Sequence, residues 1–336
     1  MAVAGLPSSI LNAPKAELHL HLEGSVQPVT ASALARTHGV VVTEDEVRRF
    51  YAYKDFLGFL EAFKWVTSYL RDPEDYALIT RDLAEQLLAQ NVVYAEVTLS
   101  IGIMQLRKQS VEANFEAILA ASQPFAARGL RLNWIFDAVR QFGPEAAGQV
   151  VEAARRCAHT SIVAFGIGGD ELRIDTKDFR PVYDKAANHG LRRLIHAGEV
   201  GGPGKIRESI ELLGAERIGH GIAAIHDPAL MDLLAERKIP LEVCPQSNLR
   251  TGALARQLNR KQATLADHPL PKILRHGIPV ILSSDDPAMF EANLADEYAN
   301  AHQMGLTESE LSRLVTASFT HAFLPETEKR SYAATI

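Results

Sequence analysis

Cysteine is nearly missing from this chain: Cys157 and Cys244 are the only two in 336 residues, too few for a disulfide framework. No apolar run approaches the roughly 18 residues that span a bilayer. The opening Met1-Ala2-Val3-Ala4-Gly5-Leu6-Pro7 has neither the positive start nor the long apolar middle of a secretory leader. A reducing cytoplasm is the expected compartment. Excess positive charge is absent too. With 35 Lys and Arg against 41 Asp and Glu, the formal net charge is −6, and no basic cluster offsets it. That balance argues against a nucleic acid or an acidic membrane surface as partner and points to a small, weakly charged substrate. No G-x-G-x-x-G or G-x-x-x-x-G-K-[ST] follows the first apolar run, so the dinucleotide and P-loop folds lack their signature. No low-complexity linker or repeat divides the chain, and residues 1–336 are read as one domain. Oligomeric state is not written in these features.

What is present is an alternation of short apolar runs with longer amphipathic segments. Candidate strands lie at 16–21, 92–98, 131–136, 162–167, 191–196, 217–219, 239–243 and 278–283. Helical patterns such as Glu208 to Leu213 and Pro228 to Glu236 separate them. Strand–helix alternation implies a parallel sheet covered by helices, and eight strands favour a closed (β/α)8 TIM barrel over an open doubly wound sheet. A helical insertion after the first strand, residues 28–90, and helices at the C-terminus complete the expected fold. Within the insertion, Phe56, Leu57, Phe59, Leu60, Phe63 and Val66 recur at helical spacing. The stripe reads as core-facing, with some of its side chains also roofing a pocket as an apolar lid.

The polar residues with chemical potential fall at the ends of these runs. His19 and His21 are two apart, so on a strand both imidazoles share a face while Leu18, Leu20 and Leu22 pack the other way. His196 ends the fifth run and Asp285-Asp286 the eighth. Three histidines and a carboxylate, far apart in sequence, suggest a metal that activates water rather than a structural zinc finger. Zinc suits such ligands; iron or manganese would also accept them. Glu199, in His196-Ala197-Gly198-Glu199, is a candidate proton donor, or else an acidic residue at the start of the next helix. His220, between two glycines in Arg217-Ile218-Gly219-His220-Gly221, is either a further ligand or a base beside the water. Asp285 and Asp286 point opposite ways, so one can meet the metal and the other the substrate.

His19-Leu20-His21-Leu22-Glu23-Gly24-Ser25, Gly166-Ile167-Gly168-Gly169-Asp170-Glu171, His196-Ala197-Gly198-Glu199, Arg217-Ile218-Gly219-His220-Gly221 and Ser283-Ser284-Asp285-Asp286-Pro287 together resemble the motif series of the adenosine deaminase family. The late Ser318-Phe319-Thr320-His321-Ala322-Phe323-Leu324-Pro325 resembles that family's closing helix. The resemblance implies a hydrolytic deaminase with one zinc ion per chain held by His19, His21, His196 and Asp285. It implies that His220 orients and helps deprotonate the attacking water, and that Glu199 protonates purine N1. Asp286 would bind N7 and the Gly168 N–H would meet N3, where a position without a side chain suits close approach. Glu23 stands where many family members carry Asp toward the ribose 5′-hydroxyl. The longer side chain is similar to branches acting on adenine or on 5′-altered nucleosides such as 6-aminodeoxyfutalosine. Arg217-Ile218-Gly219-His220 is closer to the nucleoside branches, so a purine nucleoside is the expected substrate, with free adenine the alternative. A binuclear amidohydrolase of another substrate would usually need a bridging lysine or an additional carboxylate near the fourth strand, which here ends in Gly166-Ile167-Gly168-Gly169-Asp170 with no lysine. A barrel serving only as a binding module would lack a ligand or Glu199, yet every position is filled.

Overall fold

The computed structural model describes residues 5–53 and 55–333. Eight strands, β1 Lys15–His21, β2 Val92–Leu99, β3 Arg131–Val139, β4 Ile162–Gly168, β5 Arg192–Ala197, β6 Arg217–His220, β7 Leu241–Val243 and β8 Val280–Leu282, pair in sequence order and in parallel. Just past β8, a parallel bridge between Leu20 and Asp285 joins the last strand to the first. There the His21 N–H donates to the Asp285 carbonyl at 2.8 Å and the Asp285 N–H to the His19 carbonyl at 3.0 Å. The expected (β/α)8 barrel is therefore the fold, with strand ends at most three residues from their sequence-read positions.

Both faces of a parallel strand are covered, and every residue of β1 is buried accordingly. Leu18, Leu20 and Leu22 face the surrounding helices, each contributing roughly 1.5–3 kcal/mol by burial. The opposite face points into the barrel, where the filling is partly ionic. Arg217, 1% exposed, pairs with Glu96 on β2 and Glu242 on β7, each at 2.6 Å, and its guanidinium lies 3.8 Å from the Phe323 ring centroid. The Phe323 N–H donates to Glu96 and the Arg217 guanidinium to the His321 carbonyl, so the C-terminal segment closes the barrel floor. Removing one partner from a buried group of this kind typically costs about 3–5 kcal/mol, because a charge is left uncompensated.

Among the described residues the insertion at 28–90 comprises four α-helices, Pro28–Thr37, Glu44–Tyr51, Phe56–Thr67 and Pro73–Ala89. Thr43 starts the second with a capping box, its hydroxyl accepting from the Glu46 N–H. The third divides the apolar stripe by role. Val66 is in the core, Leu57 is exposed, and Phe56, Phe59, Leu60 and Phe63 line a cavity at the C-terminal mouth of the barrel. Among the described residues no helix is long and apolar enough to cross a membrane.

Candidate active site

The C-terminal ends of the strands bring His19, His21, His196, His220 and Asp285 together. His19 and His196 have ring centroids 4.6 Å apart, His19 and His21 5.5 Å, and His196 and His220 5.3 Å. Asp285 Oδ1 lies 3.4 Å from His19 Nε2 and 3.3 Å from His21 Nε2, while its Oδ2 is 3.9 Å from His220 Nε2. His220 and Asp285 both hold left-handed backbone, φ +61° and +65°. Such conformations cost of order 1–3 kcal/mol and persist where surroundings enforce them, as the bridge to Leu20 does for Asp285. At Gly219, between the two histidine positions of β5 and β6, a β-carbon would lie 2.8 Å from the His19 ring, so this position has to be bare.

The donors fit a metal. His19 gives its Nδ1–H to Glu242 Oε2 at 2.7 Å, which leaves Nε2 as the lone-pair nitrogen of the neutral ring. That nitrogen is buried with no hydrogen-bond partner. Burial lowers His21 to about 4 and His220 to about 3, and holds His196 well below its ordinary value. Neutral imidazoles are what a transition metal needs. The site also attracts positive charge. In the absence of a metal, burial opposes protonation of His19, but Asp285 near its Nε2 and Glu242 at its Nδ1 outweigh that and push it up to about 10. Two donor groups meet at Asp285: His19, His196 and His220 in one, His21 and Asp286 in the other, with ligand atoms of each within 4.8 Å of one another. Proximity alone leaves His21 and His220 both in reach.

Two acids face the same space. Glu199 is not in the first turn of the following helix, which begins at Pro203; it lines the cavity. Burial, then the charges of Asp285 and Glu171, push its carboxyl up to about 8. Thr251 Oγ1 donates to its Oε1 at 3.3 Å, and its Oε2 is 3.6 Å from His220 Nε2. Asp286 is held well above the usual carboxylate range by burial and by the ionised Asp285 beside it. Both causes favour its protonated form, the one able to donate an O–H.

The cavity, about 460 Å3, is lined by His21, Gly168, His196, Glu199, His220, Asp285 and Asp286 at its base and by aromatic side chains above. Glu23 sits behind this lining, 1% exposed, with Oε1 accepting the Ser100 N–H at 3.0 Å and Oε2 buried without a partner. The Gly168 N–H is directed at the Asp137 carboxyl, which also borders the cavity. A β-carbon on Gly24 would collide with the Asp286 carboxyl. Gly24→Ala should therefore displace Asp286, lowering kcat/KM about a hundredfold with metal content unchanged, as read by steady-state rates and metal analysis.

Sequence reading missed several positioning groups. Glu171 accepts from the backbone N–H groups of Gly198, Glu199, Val200 and Gly201 at 2.8–3.3 Å, pinning the loop that carries Glu199. Glu242 orients His19, and Ser247 Oγ donates to Asp285 Oδ2 at 2.6 Å. A signal existed for Glu242 and Glu96: each is a charge inside an otherwise apolar strand, in Leu241-Glu242-Val243 and Ala95-Glu96-Val97.

The adenosine deaminase family profile matches residues 14–336. An aminodeoxyfutalosine deaminase of Streptomyces avermitilis is 37% identical over 338 residues, covering 98% of this chain and 92% of that protein. An adenine deaminase of Chelativorans sp. is 34% identical over 314 residues, covering 93% and 94%. The crystal structure of an adenine deaminase from Arthrobacter aurescens superposes with a TM-score of 0.87 at 29% identity, covering 96% of this chain and 98% of that one. With its motifs gathered at one barrel mouth and these matches running nearly end to end, the chain belongs to the adenosine deaminase family and is a hydrolytic deaminase.

Proposed function

We propose that this enzyme deaminates a 6-aminopurine nucleoside, adenosine or a 5′-modified relative such as 6-aminodeoxyfutalosine, to the 6-oxo product and ammonia. The observation that carries the reading is a pair of buried carboxyl groups, Glu199 and Asp286, lining one cavity with the histidine cluster, each pushed toward its protonated form by burial and by the Asp285 charge. A purine ring presents acceptors at N1 and N7, and each acid supplies the proton or O–H that an acceptor needs. Glu199 protonates N1 as water attacks C6, Asp286 holds N7, and His220 orients the water. The Gly168 N–H turns from Asp137 to N3. A C6–O bond forms and the C6–N bond breaks; one proton of the water leaves with the amino group as ammonia, and the other restores the Glu199 acid that protonated N1. His19, His21, His196 and Asp285 hold zinc, which when bound acts as a Lewis acid that makes water easier to deprotonate near neutral pH.

The cavity supports a nucleoside over a free base. Besides the acids its lining includes Phe59, Phe63, Leu106, Phe142, Arg107 and Lys64, and its volume of about 460 Å3 is more than adenine alone would fill. The relative at 37% identity, named for aminodeoxyfutalosine, favours the longer substrate. Ammonia release by zinc-loaded protein, compared across adenosine, adenine and 6-aminodeoxyfutalosine by kcat/KM, tests this. A nucleoside is expected to lead by at least about tenfold, since one well-filled apolar contact is worth about 1–3 kcal/mol. Preference for adenine would make the site base-only, and no ammonia from any of them would end the purine assignment.

A further inference from the structure

Behind His220, on the side away from the cavity, two buried polar residues have no part in the chemistry so far. Asn248 is fully buried and His268 is 4% exposed. Neither was singled out by its sequence setting, and both are linked to His220 by a single hydrogen-bonded line. The Leu270 backbone N–H meets His268 Nδ1 at 3.1 Å, His268 Nε2 meets Asn248 Oδ1 at 3.3 Å, and Asn248 Nδ2 meets His220 Nδ1 at 3.1 Å.

The direction of this line is set at its far end. A backbone N–H can only donate, so His268 Nδ1 accepts, and the neutral His268 ring carries its proton on Nε2. That proton has to meet an acceptor, which orients the Asn248 amide with Oδ1 toward His268 and its NH2 toward His220. The reverse amide orientation would set N–H against N–H in a buried site, with a penalty of roughly 1–3 kcal/mol for each unmade bond. His220 Nδ1 then accepts, so its single proton sits on Nε2, the nitrogen facing Glu199 and Asp285. In each ring Nδ1 is the acceptor, so the single remaining proton sits on Nε2.

We infer that Asn248 and His268 are positioning residues that lock His220 as the Nε2–H tautomer, making it a hydrogen-bond donor to the attacking oxygen. This rests on the deaminase reading for the oxygen, but the tautomer itself belongs to the protein alone. Two consequences follow. A nitrogen bearing a proton has no lone pair for a metal, so of the two histidines near Asp285, His21 is the ligand and His220 is not. His220 also orients the water by donating to a lone pair, and the proton-accepting half of its expected role is lost. The opposite arrangement holds at His19, where Glu242 draws the proton to Nδ1 and frees Nε2. One carboxylate and one amide thus sort two neighbouring imidazoles into ligand and donor.

The test reads protons directly. In zinc-loaded protein labelled with 15N-histidine, two-dimensional NMR is expected to show His220 with a pyrrole-type Nε2 and a pyridine-type Nδ1. Signals are assigned by their loss in single-histidine variants. A proton on His220 Nδ1, or a metal-bound Nε2 there, overturns the proposal whether or not any purine is turned over. Asn248→Leu should mix the His220 tautomers and lower kcat by about 10–100-fold with KM within about threefold. An unchanged His220 tautomer in that variant overturns the relay. His268→Gln keeps an amide N–H where the imidazole donated, and should retain kcat that His268→Leu loses. Equal losses in the two variants would make His268 merely structural and defeat the proposal.

Discussion

Glu199→Gln is expected to keep its metal and its fold and to lose roughly three orders of magnitude in kcat. The side chains are isosteric, and the loop that carries residue 199 is held by Glu171 through backbone N–H groups, which the substitution does not touch. What changes is the proton. Water attack at C6 drives an electron pair onto N1, and a buried acid whose carboxyl is pushed up to about 8 holds a transferable proton there at neutral pH. A Gln amide can donate a hydrogen bond to N1 but cannot give the proton up. The interaction lost is one made in the transition state, so kcat and kcat/KM should fall together while KM stays near its original value. Steady-state ammonia release with parallel metal analysis decides it. Turnover near that of the unaltered protein would remove Glu199 as proton donor.

The second large effect is on metal retention and stability. Among the described residues Asp285 is the one carboxylate within 3.5 Å of two histidine Nε2 atoms, and it is held well below the usual carboxylate range: burial opposes its charge, but its close approach to His19 and the other surrounding histidines outweighs that. It therefore brings the negative charge that a divalent ion needs among neutral imidazoles. Zinc at a thousandfold above its Kd should stabilise the protein by about 4 kcal/mol, because it binds the folded site and not the open chain. Asp285→Asn removes the charge while keeping a residue type that tolerates the left-handed backbone found there. In that variant zinc should dialyse away against a mild chelator and the zinc-dependent rise in Tm should shrink. Stoichiometric zinc and an undiminished rise in Tm would take Asp285 out of the ligand set.

The sequence by itself determined those features that depend on local periodicity. The two-residue spacing of His19 and His21 put both rings on the barrel face of β1 and Leu18, Leu20 and Leu22 on the other, because a pleated strand alternates its side chains. Alternating strand and helix patterns dictated a parallel sheet. Short motifs at strand ends marked one mouth of the barrel, where the structure places His196, Glu199, His220, Asp285 and Asp286.

Closure of the barrel decided the rest. Glu242 meets His19, and Arg217 meets Glu96, only because β1, β2, β6 and β7 converge on one interior, and no spacing along the chain encodes that approach. The same holds for Glu171 beneath the Glu199 loop and for Asn248 and His268 behind His220. Tertiary packing also set Glu23 behind Ser100 rather than in the cavity lining, and gave the insertion stripe three fates: core at Val66, roof at Phe59 and Phe63, solvent at Leu57. Local pattern says which way a side chain points; its partner, and so the proton it carries, is set by whatever the fold brings opposite.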